Sequence, residues 1–293
     1  MEVEFKALWS YYKKKWKFLM ISSLFMALIG FMYILYQTPK HDVSVILKAN
    51  EDSQQSILGG SGVISSLVGG SNATKLFSHS FKETFYSLEA TKNLENKKNY
   101  IFRIYGDLYD ESEGDYREIY NLDSILKKIK FWFIGISYQY KPNIYMLNDY
   151  IKATISIKYV SVTNFLVVSS LSSNPSFTKE LIETLLIETD NLFKSRDKYE
   201  LDAKISYLYD ELDKSKQEAQ INSVSRLLQT ELLKRSLIDS GTTYRFKIIR
   251  DFEISEYPTY PNFSFLLLLF TFFGFFGSLA YQTYIFIFKS TES

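Results

Sequence analysis

The chain has 293 residues, of which 46% are hydrophobic and 17% aromatic, and its formal net charge at pH 7 is +1. A near-neutral chain without a dense basic patch away from its N-terminus lacks the electrostatic footprint of a nucleic-acid-binding protein. The sequence contains no cysteine, which excludes disulfide frameworks, cysteine-ligated zinc, iron–sulfur clusters and thiol catalysis.

The first predicted element is a membrane helix at residues 18–37. Its apolar core, Phe18–Tyr36, contains no charged residue and would be roughly 28 Å long, close to the thickness of a bilayer hydrocarbon core. A cleaved signal peptide is the alternative, but this core is longer than a signal peptide needs and no small-x-small cleavage site follows it. Because lysines crowd the N-terminal flank, the positive-inside rule predicts that residues 1–17 are cytoplasmic. These lysines are Lys13, Lys14, Lys15 and Lys17.

The segment after this helix is predicted to form one domain outside the cytoplasm, residues 38–262. Apolar and polar residues alternate in His41–Ala49, which predicts a strand. The glycine- and serine-rich stretch Ser56–Asn72 is either a flexible linker or a loop or short helix packed on a neighbouring surface. Its aliphatic side chains are more numerous than a solvated linker needs, which favours the packed alternative.

Two helices and a strand hairpin are predicted next. Leu76–Leu94 carries phenylalanines at the helical spacing i, i+4 and i+8, and Leu122–Phe133 is a second, shorter helix. The strands Ala153–Val160 and Asn164–Ser172 are separated by a short turn, which is typical of a β-hairpin. The three phenylalanines are Phe77, Phe81 and Phe85.

A long helical hairpin is predicted at residues 176–240, which contain no proline and no glycine. Apolar residues recur there at the spacing of a coiled coil, and the polar stretch Asp213–Ser223 interrupts that spacing. Because the strand Thr242–Ile254 is expected to return to the same sheet, a straight helix is impossible and the polar stretch is the predicted bend. The apolar seam needs a partner to bury it. It comprises Leu201, Ile205, Leu208, Leu212, Val224 and Leu228, and Ile221 and Leu232 continue the spacing.

The second predicted membrane helix, Phe263–Phe288, contains no charged residue and is long enough to span a bilayer with some tilt. It is expected to return residues 289–293 to the cytoplasm. Pro258 and Pro261 lie just before it. Because proline lacks a backbone N–H and fixes φ, these two residues are predicted to end the preceding strand and to set the angle of membrane entry, as a rigid coupling segment.

Small residues are predicted to pack the membrane helices against a neighbour. Gly274, Gly277 and Ala280 recur three residues apart, which places them on roughly one helix face, and Gly30 offers a similar position in the first helix. The alternative explanation is that membrane helices tolerate glycine in general.

No cluster of catalytic or metal-binding residues stands out in the sequence. His41 and His79 are far apart and have no histidine or cysteine companions, so neither is predicted to be a metal ligand. The acidic run Gly106–Tyr120 has its glycine one position early for an EF-hand calcium loop and lacks the terminal glutamate, so a solvated loop is the better interpretation. The sequence predicts no catalytic residue, no metal and no cofactor, and the protein is not predicted to be an enzyme.

The order of these parts resembles the polysaccharide co-polymerase family, which comprises Wzz-type chain-length determinants and their capsule-export relatives. Phe165–Leu186, "FLVVSSLSSNPSFTKELIETLL", resembles the family's strand, proline-containing turn and helix. Leu227–Arg235, "LLQTELLKR", resembles its descending helix, and Ile248–Phe265, "IIRDFEISEYPTYPNFSF", resembles the strand and proline-rich segment before the second membrane helix. The chain departs from the pattern at Ser264, where a third proline would continue the spacing.

This resemblance implies a homo-oligomeric ring in the bacterial inner membrane, with both termini cytoplasmic and the main domain periplasmic. Such a ring sets the length of a lipid-linked, O-antigen-like polysaccharide by acting with a membrane polymerase. The expected fold class is an α+β membrane protein, with two transmembrane helices flanking a periplasmic α/β base that carries a long coiled-coil hairpin. The expected division of the chain is 1–17 (cytoplasmic), 18–37 (transmembrane), 38–175 and 241–257 (base), 176–240 (helical protrusion), 263–288 (transmembrane) and 289–293 (cytoplasmic).

The alternative function is that of an inner-membrane component of a capsule polysaccharide export complex. Two further classes fit less well. A ligand-sensing receptor normally needs a cytoplasmic signalling module, for which residues 289–293 leave no room. A membrane-fusion-type adaptor with a second membrane helix near its C-terminus would be unusual.

Overall fold

The computed structural model of the protein describes residues 5–50, 70–119, 122–135, 141–241 and 243–291. These residues form a mostly helical α+β fold with one long apolar helix near each terminus and a long helical region before the last strand, which confirms the predicted fold class at that level. Most of the glycine- and serine-rich stretch, residues 56–69, lies outside the described residues.

The helices are α1 (Phe5–Tyr36), α2 (Gly70–Phe85), α3 (Leu88–Lys98), α4 (Tyr100–Tyr105), α5 (Leu122–Phe133), α6 (Ile144–Thr154), α7 (Pro175–Lys214), α8 (Glu218–Asp239) and α9 (Phe263–Thr291). The strands are β1 (His41–Ala49), β2 (Tyr109–Asp110), β3 (Asp115–Tyr116), β4 (Ile155–Val160), β5 (Phe165–Ser172) and β6 (Phe246–Ile254).

The chain divides into two compact units. The first comprises Met1–Asp42, Leu171–Pro175 and Ile254–Ser293 and contains the two apolar helices. The second comprises Val43–Ser170 and Ser176–Glu253 and contains most of the sheet and the remaining helices.

In the first unit, two helices are long and apolar enough to cross a bilayer. The candidate spans are Trp9–Tyr36, with a mean hydropathy of 2.3, and Phe263–Phe288, with a mean hydropathy of 2.1. The second has the predicted bounds. The first contains the predicted apolar core Phe18–Tyr36, ends one residue before the predicted position 37 and continues further toward the N-terminus than predicted. This pair of helices is compatible with a membrane protein.

A four-stranded sheet with the order β4-β5-β1-β6 organises the second unit. The predicted hairpin of β4 and β5 is confirmed: the strands are antiparallel, with Ile155 opposite Ser170 and Val160 opposite Phe165. Helix α6 ends at Thr154, so β4 begins two residues later than predicted. Strand β1 matches its predicted bounds, and every second residue from Val43 to Ala49 is buried.

The core of the second unit lies between this sheet and helices α2, α3, α6 and the first half of α7. Phe77, Phe81 and Phe85 are all buried in it, as the helical spacing indicates. The predicted single helix Leu76–Leu94 is nevertheless two helices. Ser87 has an extended backbone, and its hydroxyl accepts a hydrogen bond from the Ala90 amide, so it caps a new helix and ends the old one.

The predicted helical hairpin is present as α7 and α8, which are separated by residues 215–217, inside the predicted bend. Helix α7 has 40 residues and is about 60 Å long, whereas α8 has 22 residues and is about 33 Å long. The lengths differ because α7 is buried in the core as far as Phe193 and only its later turns pair with α8. The boundary between core and hairpin therefore falls inside α7. Strand β6 begins at Phe246 rather than at residue 242.

Candidate functional site

The proline segment between β6 and α9 is hydrogen-bonded to the chain that links α1 to β1. The Lys40 amide donates to the Tyr260 carbonyl at 2.9 Å, and the Lys40 carbonyl accepts from the amides of Thr259 and Tyr260 at 2.9 and 3.2 Å. Pro258 and Pro261 flank those two donating residues. Proline has no amide hydrogen and cannot donate, so the hydrogen bonds to the Lys40 carbonyl come from the two residues between the prolines.

A second set of contacts extends this pairing toward the strands. The Ser255 amide donates to the Asp42 carbonyl at 2.9 Å, and the Asp42 amide donates to the Ser255 hydroxyl at 2.9 Å. The His41 ring nitrogen Nδ1 lies 2.8 Å from the Ser255 carbonyl oxygen, which accounts for this histidine as a structural residue. The two connections next to the membrane helices therefore form one hydrogen-bonded segment, and its coupling role remains a prediction.

The two apolar helices α1 and α9 pack antiparallel, and glycine permits their closest approach. A Cβ added at Gly274 would lie 2.7 Å from the Met26 Cβ, and one added at Gly30 would lie 2.7 Å from the Phe270 Cγ. Both separations are shorter than side-chain atoms tolerate. Gly30 and Gly274 are therefore positions where α1 and α9 touch.

Gly277 and Ala280 do not belong to this contact. Both are exposed, and nothing lies within 4 Å of a Cβ added at Gly277. A step of three residues turns an α-helix by about 300°, so positions three apart drift around the helix instead of sharing a face. The buried positions instead follow a step of four residues, Gly274, Ser278 and Gln282.

Polar side chains join the membrane helices at several levels. The Tyr11 hydroxyl donates to Gln282 Oε1 at 2.8 Å, and the Tyr12 hydroxyl lies 2.5 Å from the Thr283 hydroxyl. In the middle of the helices, the Ser23 hydroxyl donates to the Thr271 carbonyl at 3.2 Å. Sequence reasoning missed these contacts, although Gln282 is a conspicuous amide within an apolar run.

The predicted seam residues are buried inside one chain. Leu208, Val224 and Leu228 form a cluster between α7 and α8, and Ile205 and Leu212 pack against it. Leu201 packs instead with Ile238 and Tyr244. The partner that buries the seam is the other arm of the same hairpin. Ile221 and Leu232, which continue the predicted spacing, are exposed.

A polar cluster holds the base of the hairpin against the start of β6. The Asp190 carboxylate is buried and accepts hydrogen bonds from the amides of Tyr244 and Arg245 at 2.9 and 3.1 Å. The Arg245 guanidinium pairs with Asp197 and lies over the rings of Phe193 and Tyr244. Burying these charges is tolerable because each has an ionic or hydrogen-bonding partner.

A cavity of about 350 Å³ adjoins this cluster and is lined by charges of both signs. Within its wall, Glu231 is buried and accepts hydrogen bonds from Lys204 at 2.6 Å and Lys234 at 3.2 Å. Burial alone would raise the pKa of the Glu231 carboxyl, but the two ammonium groups hold it below its ordinary value. The cluster keeps α7 and α8 paired through charge between the apolar cluster of Leu208 and Leu228 and that of Leu201 and Ile238.

The acidic run contains the short hairpin β2–β3, and three of its carboxylates are paired. Asp110 accepts hydrogen bonds from Ser112 and Arg117, Asp115 pairs with Lys141, and Glu118 pairs with Lys128. His79 is exposed. Among the described residues, no group of three or more histidine, aspartate or glutamate side chains is placed to hold a metal ion.

No family model matches the chain, and no curated protein matches it. Among the solved structures, the chain is similar to a full-length bacterial polysaccharide co-polymerase. That similarity covers 98% of this chain and 99% of the other, at 9% sequence identity and a TM-score of 0.40.

Proposed function

We propose that this protein is a non-enzymatic polysaccharide co-polymerase of the bacterial inner membrane. In this proposal it regulates the chain length of a surface polysaccharide of the O-antigen type by acting with a membrane polymerase on a lipid-linked polymer. Both termini are cytoplasmic, and residues 38–262 are periplasmic.

The observation that carries the proposal is the order of elements in the chain. An apolar helix leads into a sheet strand, a helical hairpin lies between strands β5 and β6 of the same sheet, and a proline segment leads into a second apolar helix. The two apolar helices pack together, and the connections at Lys40 and Tyr260 are hydrogen-bonded. This is the order of parts on which the resemblance to co-polymerases rests.

The proposal includes self-association into a ring, and the outer surfaces of the helices support it. With the seam buried inside the chain, large side chains still point away from the hairpin. They are Tyr199, Tyr207, Tyr209, Leu227, Leu233 and Leu237. On α9, the exposed Gly277 and Ala280 lie away from the contact with α1 and are available to a neighbouring helix in lipid. Contacts between copies would remove these surfaces from solvent and lipid.

The proposal is tested by deleting the gene and separating the surface polysaccharide by size on a gel. We expect polymer to persist without a preferred length, and a plasmid copy to restore that length. Loss of all surface polymer together with intracellular accumulation would instead indicate the export component. An unchanged profile would refute both functions.

A further inference from the structure

Helix α5 is amphipathic but presents its apolar side outward. Its exposed side chains include Trp132, which is 74% exposed, and Phe133, which is 77% exposed. The opposite side faces the protein, where Ser124 is completely buried and Lys128 pairs with Glu118. A surface helix of a soluble domain normally does the reverse and buries its apolar stripe.

The exposed apolar residues form one continuous arc. At about 100° per residue, they cover roughly 120° of the helix circumference. Lys130 borders this arc on one side, about 40° beyond Leu126 around the helix. Lys128 lies about 40° beyond Trp132 on the other side, where it is paired with Glu118. The residues of the arc are Trp132, Ile125, Ile129, Phe133 and Leu126, in order around the helix.

We propose that α5 lies in the interface of a phospholipid bilayer, with this arc among the first acyl carbons and Lys130 toward the phosphates. A helix that combines an apolar face containing Trp and Phe with a bordering lysine suits this position. Lysine ammonium groups complement lipid phosphates, and tryptophan prefers the depth of the headgroups. The same chain carries two helices of membrane-spanning length, so a bilayer is available to it.

The acidic group that contacts α5 in the described part of the chain is already paired. Glu118 pairs with Lys128 itself, and Asp115 pairs with Lys141. The inference concerns lipid contact alone. It goes beyond the proposed function and does not depend on it.

The natural tryptophans allow a direct test. The chain has three, and the other two are Trp9 and Trp16. In full-length protein carrying Trp9→Phe and Trp16→Phe, reconstituted in phosphatidylcholine and phosphatidylglycerol vesicles, Trp132 becomes the single fluorophore. We expect lipids brominated at carbons 6 and 7 to reduce its emission roughly twofold, and lipids brominated at carbons 11 and 12 to reduce it less, because an interfacial helix sits about 5–10 Å deep. Aqueous iodide should have little effect.

A matched reporter and a disrupting variant define the outcomes. In a protein that also carries Trp132→Phe and Val162→Trp, the reporter sits at a 92% exposed position in the turn between β4 and β5 and should be quenched by iodide alone. Ile125→Ser with Ile129→Ser alters only exposed side chains and should return Trp132 to iodide quenching. If iodide quenched Trp132 in the protein that retains Ile125 and Ile129, the proposal would be overturned. Protection from both quenchers would also overturn it and would indicate that protein covers α5.

Discussion

The membrane-helix pair and the helical hairpin are both antiparallel pairs of long helices, yet they are held together in opposite ways. In α1 and α9, glycine and small polar residues lie between the helices while the large apolar side chains point outward. In α7 and α8, leucine and valine lie between the helices, most charged residues point outward, and the buried Glu231 is paired with Lys204. Lipid offers no hydrophobic gain for burying leucine, so close backbone contact and hydrogen bonds replace it there. In water, the burial of apolar side chains is favourable and drives the pairing of α7 with α8.

A buried charge in the hairpin should have the largest effect. Leu228→Asp places an unpaired carboxylate in the seam, where Leu228 is 7% exposed, and should destabilise the pairing of α7 and α8 by about 3 kcal/mol or more. Hydrogen exchange of the α8 amides measures the loss of protection. The adjacent Gln229 is exposed, so Gln229→Asp should change protection by no more than about 0.5 kcal/mol. Equal effects at both positions would contradict a seam inside the chain.

In the membrane pair, a larger side chain should separate the helices. Gly274→Leu places atoms where Met26 already lies and should weaken the pair by about 1–3 kcal/mol. Because the chain has no native cysteine, the pair Ser23→Cys and Thr271→Cys reports helix proximity through its oxidative cross-linking yield.

The matched control for this change is Gly277→Leu, which faces open space and should leave the cross-linking yield unchanged. If the Gly277 variant lost the cross-link and the Gly274 variant kept it, the assigned contact face of α9 would be wrong.

The smallest effect is expected at an exposed ion cluster on α7. Glu180 accepts hydrogen bonds from Arg103 at 2.8 and 2.9 Å and from Lys98 at 2.8 Å, and these partners lower its pKa from 4.5 to about 2. A lowered pKa in the folded state means that the cluster stabilises the fold above about pH 4.5, and that this contribution is lost as the pH falls toward 2. Because the groups are partly exposed, Glu180→Gln should cost no more than about 1 kcal/mol at pH 7.

This prediction is checked by the urea midpoint measured at several pH values. The difference between the wild type and Glu180→Gln should shrink between pH 5 and about pH 3. The exposed Glu183 on the same helix supplies the control, since Glu183→Gln should show no comparable pH dependence. A difference that grows on acidification would contradict the assigned sign.

The sequence predicted the elements whose signal is periodic and uninterrupted. The charge-free runs give the two long apolar helices, alternation gives β1, and the polar gap in the seam gives the bend before Glu218. Helix α6 was missed although Asn143 caps it by accepting from the amides of Tyr145 and Met146, because the helix runs directly into β4. The break between α2 and α3 depends on one side chain, the capping hydroxyl of Ser87. The periodicity of apolar residues does not show such a cap.

The candidate site was less predictable, because it depends on which surfaces meet. The composition of α9 showed that small residues are present, but only the packing against α1 separates Gly274 from Gly277. The spacing of apolar residues predicted the seam. Which residues of α7 pair with α8 could not be predicted, because it depends on how far α7 is buried in the core. Likewise, amphipathicity predicts that α5 has an apolar face but not that this face points outward.

The most direct test of the central claim, that this chain sets polysaccharide length from the membrane, is the gel profile of surface polysaccharide after Pro258→Ala with Pro261→Ala. These changes free the backbone around Thr259 and Tyr260, whose amides donate to Lys40, and leave both apolar helices intact. We predict an altered preferred polymer length at normal protein level and normal membrane insertion. An unchanged length profile under those conditions would contradict the coupling role of the proline segment.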